Sequence, residues 1–213
     1  MALIGIDLGT SGTKTVLFDE NGRVLASHTA EYPLSQPKNG WAEQDPHDWW
    51  RAVQETVQAV LTKSGVDPAD IQGVGLSGQM HGLVMLDAQG HVMRPAILWC
   101  DGRTQGECDE ITETLGREKL LAITANPALP GFTAGKILWV RKHEPELWEK
   151  CRHILLPKDY IRYKLTGEFA TEVSDASGMN LLDVPKRQWS GEVLAALDID
   201  PGLLGRMYES CEV

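Results

Sequence analysis

The chain opens on an apolar run, Ala2-Leu3-Ile4-Gly5-Ile6-Asp7-Leu8, with a single acid near its end. A short continuous apolar run bounded by turn residues predicts a buried strand. The small-residue turn Gly9-Thr10-Ser11-Gly12 follows, then strand-like stretches from Thr15 to Phe18 and from Arg23 to His28. The Asn21-Gly22 pair between them is a hairpin signal, because both residues tolerate positive φ. From Asp45 the period changes: Trp49, Val53, Val57, Val60 and Leu61 recur at helical spacing. Asp45 is placed to cap that helix, Pro46 suits its first position, and Asp48 lies in the positive first turn. Gly65 is a natural stop, so a helix is predicted over 46–64. After the turn Asp67-Pro68-Ala69-Asp70, residues Ile71 to Ser77 return to a strand pattern.

The order β-β-β-α-β predicts an α/β layer fold. The three opening strands should form an antiparallel meander, and 71–77 should join the first strand in parallel with the helix as crossover. Leu83 to Leu86 and the stretch from Val92 flank Asp87-Ala88-Gln89-Gly90, which predicts a second hairpin. The rest is mostly helical, with patterns near 103–115, 133–143, 145–151, 158–165 and 190–197. With no low-complexity linker in view, one domain over 1–213 is the simpler organisation.

Three short constellations can carry chemistry. In Asp7-Leu8-Gly9-Thr10-Ser11-Gly12-Thr13-Lys14 an acid ends a strand and glycines follow at once. Such a turn suits a phosphate cradle of N–H groups with a Mg²⁺-holding carboxylate beside it; it equally suits a plain hairpin capped by Asp7. In Gly78-Gln79-Met80-His81-Gly82, just past the fourth strand, Gln79 and His81 can bind a ligand hydroxyl or serve only the turn. In Trp99-Cys100-Asp101-Gly102-Arg103, Asp101 and Arg103 can order a loop, or Asp101 can simply start a helix. Two lookalikes fall away. Gly12-Thr13-Lys14-Thr15 lacks the adjacent Gly-Lys of a Walker A loop. Gly73-Val74-Gly75-Leu76-Ser77-Gly78 fits GxGxxG by letter, yet it is itself a strand, with no strand before it and a hairpin after it.

Charge narrows the partners. With 30 acidic against 20 basic side chains the net charge is −10, and no Lys/Arg cluster stands out, so neither nucleic acid nor anionic lipid is expected. The four cysteines form no CxxC pair and have no metal spacing, as expected of reduced thiols in a cytoplasmic protein. The N-terminus has neither a basic leader region nor an apolar run long enough to span a membrane.

Taken together, these pieces resemble the FGGY carbohydrate kinases, a branch of the hexokinase–actin–Hsp70 ATPase superfamily. The opening IGIDLGTSGTK resembles that family's first phosphate loop. The stretch from Gly131 to His143 fits its signature, and Pro157 to Gly167 resembles its DYxxxxLTG element, followed by a matching segment at Thr171 and Ser174 to Ser177. Within the family, WAEQDPxxWW at 41–50, GQMHG at 78–82 and RPAILWCDGR at 94–103 resemble the branch that phosphorylates xylulose rather than the glycerol kinases. The resemblance implies a ribonuclease H-like domain that binds sugar, a later lobe that grips ATP, and a ketose as substrate. It implies Asp7 as the catalytic and Mg²⁺-holding carboxylate. Gly9, Thr10, Ser11, Gly12, Thr13 and Lys14 would form the phosphate loop, and Gln79, Met80, His81, Asp101 and Arg103 the sugar contacts. A homodimer is expected for the full-length enzyme. The family's base is an aspartate in a GGxD element, which the sequence does not contain and which is expected beyond its end. Two expectations compete: another FGGY sugar kinase, acting on ribulose, gluconate or fuculose, and a non-catalytic actin-like interaction module, which has no need of the 78–82 loop.

Overall fold

The computed structural model describes residues 1–212. Along the chain come β1 (Ala2–Leu8), β2 (Gly12–Asp19), β3 (Val24–Glu31), β4 (Glu43–Gln44), α1 (Pro46–Ser64), β5 (Ile71–Gly78), β6 (Val84–Leu86) and β7 (Ala96–Ile97). Then follow α2 (Gln105–Leu115), α3 (Arg117–Thr124), α4 (Thr133–His143), α5 (Pro145–Trp148), β8 (His153–Leu155), α6 (Pro157–Thr166) and β9 (Ala170–Glu172). The described chain closes with α7 (Val173–Ala176), β10 (Leu182–Asp183), β11 (Gln188–Trp189), α8 (Gly191–Ala196) and β12 (Arg206–Tyr208). Among the described residues no helix is long and apolar enough to cross a membrane. These elements form two compact units. The first comprises Met1–Leu34 and Asp45–Gln79, the second Ser35–Gln44 and Met80 onward.

The first unit holds a four-stranded sheet in the order β3-β2-β1-β5. β1 pairs antiparallel with β2, from Ala2↔Asp19 to Leu8↔Thr13, and β2 antiparallel with β3. β5 lies parallel to β1, with Leu3↔Gly73 through Leu8↔Gly78, so the meander and the crossover are both as the sequence predicts. Side chains alternate along β1: Ala2, Ile4, Ile6 and Leu8 are buried, while Leu3 and Asp7 are exposed. α1 packs on β2 and β3 and seals one face of the sheet. It buries Trp49, Ala52, Val53, Thr56 and Val60, and Thr56 shares a 2.7 Å hydrogen bond with Thr15 of β2. Its ends are fixed by the residues expected. The Asp45 carboxylate accepts from the His47 N–H at 2.9 Å, and Gly65, at φ +67°, closes the last turn on the Leu61 carbonyl.

The second unit surrounds a core that includes Leu83, Met85, Ile97, Ile111, Ile137, Leu138, Ile154, Leu156 and Leu181. α4 is its central helix, buried continuously from Thr133 to Val140. Short strand pairs frame it: β4 with β7, β6 with β8, β9 with β12 and β10 with β11. The second hairpin is much reduced. The Asp87–Gly90 turn forms, but only a single Leu86↔Val92 bridge follows it, and β6 takes β8 as its partner instead. Polar spacing around Arg94 ends the strand pattern, while β8 offers the apolar partners Ile154 and Leu155. α3 was not expected: Gly116, at φ +78°, breaks the helical pattern and lets a new helix begin at Arg117.

Candidate functional site

In the first unit the turn Gly9-Thr10-Ser11 joins β1 to β2 and is tied at its neck, where the Gly9 N–H donates to the Gly12 carbonyl at 3.0 Å. A Cβ on Gly12 would stand 2.6 Å from the Ala30 carbonyl oxygen of β3, so the neck admits glycine alone. Tyr32, just past β3, locks the turn from below. Its hydroxyl donates to the Gly9 carbonyl at 2.5 Å, and its N–H donates to the Ser11 carbonyl at 3.4 Å. Burial raises the Tyr32 pKa to about 12, with the Asp7 charge adding to the rise against a hydrogen bond from Thr13, so this lock stays protonated. Thr13 is buried under the turn. Asp7 stands on the open face of the sheet, in register with Lys14 on one side and Ser77 on the other. Among the described residues Asp7 makes no ion pair or side-chain hydrogen bond. Gln79 follows at the end of β5, with its N–H on the Leu8 carbonyl at 2.7 Å. Asp7, the turn and Gln79 thus share one end of one sheet. Gly78 is needed there, since a Cβ would meet that of Leu8 at 2.9 Å; Gly73 and Gly75 have ordinary room.

In the second unit Met80-His81-Gly82 is a three-residue turn. The Gly82 N–H donates to the Met80 carbonyl at 2.8 Å, and His81 sits at its centre with φ +63°. A γ-turn of this positive-φ kind is rare and strained, by about 1–3 kcal/mol for a non-glycine residue. Thr133, at the start of α4, donates from Oγ1 to the His81 carbonyl at 3.0 Å. The Phe132 ring meets the imidazole edge-on, with centroids 4.8 Å apart. Burial lowers the His81 pKa and the nearby Lys136 charge lowers it further, against a smaller opposite pull from the Gly178 backbone. The imidazole is therefore neutral at pH 7.

Asp101 and Arg103 spend most of their polar atoms on each other and on a loop. The Asp101 carboxylate accepts from the Arg103 guanidinium at 2.7 and 2.9 Å, from the Arg103 N–H at 2.9 Å, and from the Ala42 N–H at 2.6 Å. Arg103 also pairs with Glu43 at 2.8 Å and lies over the Trp41 ring at 3.6 Å. Glu43 is shared with Arg94, which reaches on to Glu144. One buried donor, Arg103 Nη1, has no hydrogen-bond partner among the described residues. Beneath the same region lies Lys136, fully buried, whose ammonium donates to the carbonyls of Pro130, Gly131 and Phe132 at 3.0, 2.5 and 2.8 Å. Burial draws its pKa down to about 7, with Asp101 pulling the other way. Three acceptors around one Nζ match the three protons of an ammonium, which favours the charged form.

The chain matches the FGGY family of carbohydrate kinases, N-terminal domain, over residues 2–213. It belongs to that family. A xylulose kinase of Escherichia coli K12 is 45% identical over 210 residues, which is 99% of this chain and 43% of the relative. A xylulose kinase of Bacillus subtilis 168 is 46% identical over 98% of this chain and 42% of its own length. The chain thus spans less than half the length of these curated relatives. A crystal structure of a "xyloylose kinase" from Brucella ovis superposes with a TM-score of 0.94 at 40% identity, covering 98% of this chain and 43% of that one. The fold is the mixed α/β, actin-like ATPase fold of the sugar kinases.

In this FGGY domain, sequence reasoning left out Tyr32, Glu43 and Lys136. Lys136 carried the one available signal, a lone cation inside an otherwise apolar helical stretch, Ala134 to Val140. Such a residue must find partners when its helix is buried. Nothing in the spacing of Tyr32 or Glu43 marks either of them.

Proposed function

We propose that the full-length protein transfers the γ-phosphoryl group of ATP to the 5-hydroxyl of D-xylulose, and that this chain is its sugar-binding N-terminal part, ahead of a lobe that grips ATP. The observation that carries this reading is the 45% identity to a relative named xylulose kinase, sustained across 99% of the chain. Phosphoryl transfer relies on positioning and charge stabilisation, and the residues fit such roles. Among the described residues the Asp7 carboxylate has no side-chain partner to give up, so it suits Mg²⁺ held through water, as one carboxylate beside phosphate oxygens commonly does. Bound Mg²⁺ would neutralise phosphate charge. Beyond Gly9, whose own N–H is held by the Gly12 carbonyl, the turn through Thr13 would offer backbone N–H groups to phosphate oxygens, with Lys14 adding a positive charge beside Asp7. Gln79, Met80 and neutral His81 would contact the sugar, and Arg103 Nη1 is a buried donor for a further hydroxyl. Asp101 would serve the sugar indirectly, by holding Arg103 still. The base that takes the hydroxyl proton is assigned to none of these residues and lies in the rest of the full-length enzyme.

The net charge of −10 supports a protein without nucleic-acid or anionic-membrane partners, and a cytoplasmic location is proposed with it. A homodimer is the proposed assembly, to be read by light scattering. The deciding assay couples ADP release to NADH oxidation in the full-length protein, with D-xylulose, D-ribulose, gluconate and glycerol compared. D-xylulose should give the highest kcat/KM, and a better rate on another substrate would overturn the assignment. Asp7→Ala should lower kcat by roughly 10²-fold with little change in sugar KM. Near-normal turnover in that variant would reduce Asp7 to a strand-end residue.

A further inference from the structure

We propose that Gly178 and Thr133 are positioning residues for His81, together fixing the imidazole so that Nε2 is the nitrogen presented to ligand. The inference rests on the reading of His81 as a sugar contact, and its structural half stands apart from that reading. His81 occupies a strained turn, so something outside the turn must hold it there. Thr133 Oγ1 restrains the backbone by donating to the His81 carbonyl at 3.0 Å. Gly178 gives the ring its room. A Cβ built there would lie 1.9 Å from His81 Cε1 and 2.1 Å from Nδ1, so the imidazole fills the space where any side chain at 178 would stand.

The backbone does not ask for glycine at this place. Gly178 is absent from the positive-φ residues, and it sits in a short 3₁₀ turn, Ser177–Met179, that alanine can adopt. The nearest obstacle to a side chain there is the ring. The consequence for hydrogen bonding is direct. Among the described residues Nδ1 is buried without a well-formed hydrogen bond, while Nε2 is not among the buried atoms left without a partner. Phe132, edge-on at 4.8 Å, closes a further side. A neutral imidazole seated like this meets a hydroxyl through one nitrogen and in one orientation.

The test uses the full-length protein. Gly178→Ala should raise the ketose KM about tenfold or more while the ATP KM stays within about twofold, as expected when one buried hydrogen bond is lost. In ¹³C-histidine-labelled protein, the His81 Cε1 resonance, assigned by its absence from His81→Ala, should move. Should Gly178→Ala lose much of its folding, the double variant His81→Ala/Gly178→Ala should recover the Tm, because the clash partner is gone. Thr133→Val should weaken ketose binding several-fold and Thr133→Ser should restore it. An unmoved Cε1 resonance in Gly178→Ala, or a ketose penalty of equal size in the His81→Ala background, would overturn the proposal. If His81→Ala alone leaves the ketose KM unchanged, the sugar role fails. The resonance then decides the positioning role: a shift supports it and no shift removes it.

Discussion

Gly12→Ala tests whether the phosphate turn works as a rigid cradle. The added methyl would stand 2.6 Å from the Ala30 carbonyl oxygen and 3.2 Å from the Glu31 Cα, both backbone atoms of β3. The first contact is about 0.8 Å too close, and neither atom can swing aside as a side-chain tip would. β2 must therefore shift against β3, and the Gly12 carbonyl, which receives the Gly9 N–H, shifts with it. Overpacking of this kind costs about 1–3 kcal/mol. At about 2–4 °C per kcal/mol, Tm should fall by roughly 2–12 °C. A displacement approaching 1 Å at a positioning site costs on the order of 10²-fold, so kcat/KM for ATP should drop by about 10–10²-fold while ketose KM holds. Gly73→Ala is the control. It lies in the same sheet, but its methyl would meet only the Leu3 Cδ2 at 3.5 Å, so both Tm and turnover should stay close to those of the parent. Scanning fluorimetry and the coupled assay on the two variants decide the matter. Equal Tm and equal kcat/KM in Gly12→Ala and Gly73→Ala would refute the reasoning, since both the clash and the cradle would then be without consequence.

Lys136→Met removes the ammonium that ties three loop carbonyls together, and should lower stability by about 2–4 kcal/mol in chemical denaturation; a loss under 1 kcal/mol would mean that water replaces it freely. Asp159, fully buried beside Lys158, gives a pH test. Burial raises its pKa to about 6 against the lowering pull of Lys158, so between about pH 4 and 6 the folded chain binds more protons than the unfolded one, and this residue's contribution falls as pH rises. Asp159→Asn should therefore gain about 2–3 kcal/mol relative to the parent between pH 4 and pH 7, and a difference flat with pH would sink the idea. Glu172 acts in the opposite sense. Burial raises it, but hydrogen bonds from Ser210 and Lys158 bring it down to about 2, so its stabilisation is full above about pH 4.5 and is lost as pH falls towards 2. Glu172→Gln should therefore be less stable than the parent above about pH 4.5, with the difference shrinking as pH falls towards 2 in chemical denaturation.

The parts of this fold legible in the sequence are those fixed by local chemistry. α1 could be bounded to the residue because Asp45, Pro46 and Gly65 each act within one turn of themselves. β1 to β3 and β5 followed from apolar runs separated by turn residues. The β6–β8 pairing was not legible, because it joins residues almost seventy apart and depends on the core around them. The same limit applies to the site. Asp7, the glycine turn and His81 were visible as residue types in a sequence context. That His81 takes φ +63°, that Tyr32 locks Gly9, and that Lys136 gathers three carbonyls are tertiary facts without local signatures. Asp101 and Arg103 were legible as a pair, but not that Glu43 and Trp41, some sixty residues earlier, would complete their environment.

Ser35–Gln44 belongs to the second unit although residues of the first flank it on both sides. A fragment beginning at Met80 would therefore be incomplete. Arg94 and Arg103 would lose Glu43, the guanidinium of Arg103 would lose the Trp41 face, and the Asp101 carboxylate would lose the Ala42 N–H. On an emerging nascent chain the strap is made early, yet it must wait for more than fifty further residues before its charged partners exist. Glu43 spends that interval in water, and the second unit closes around a piece of chain that was synthesised long before it.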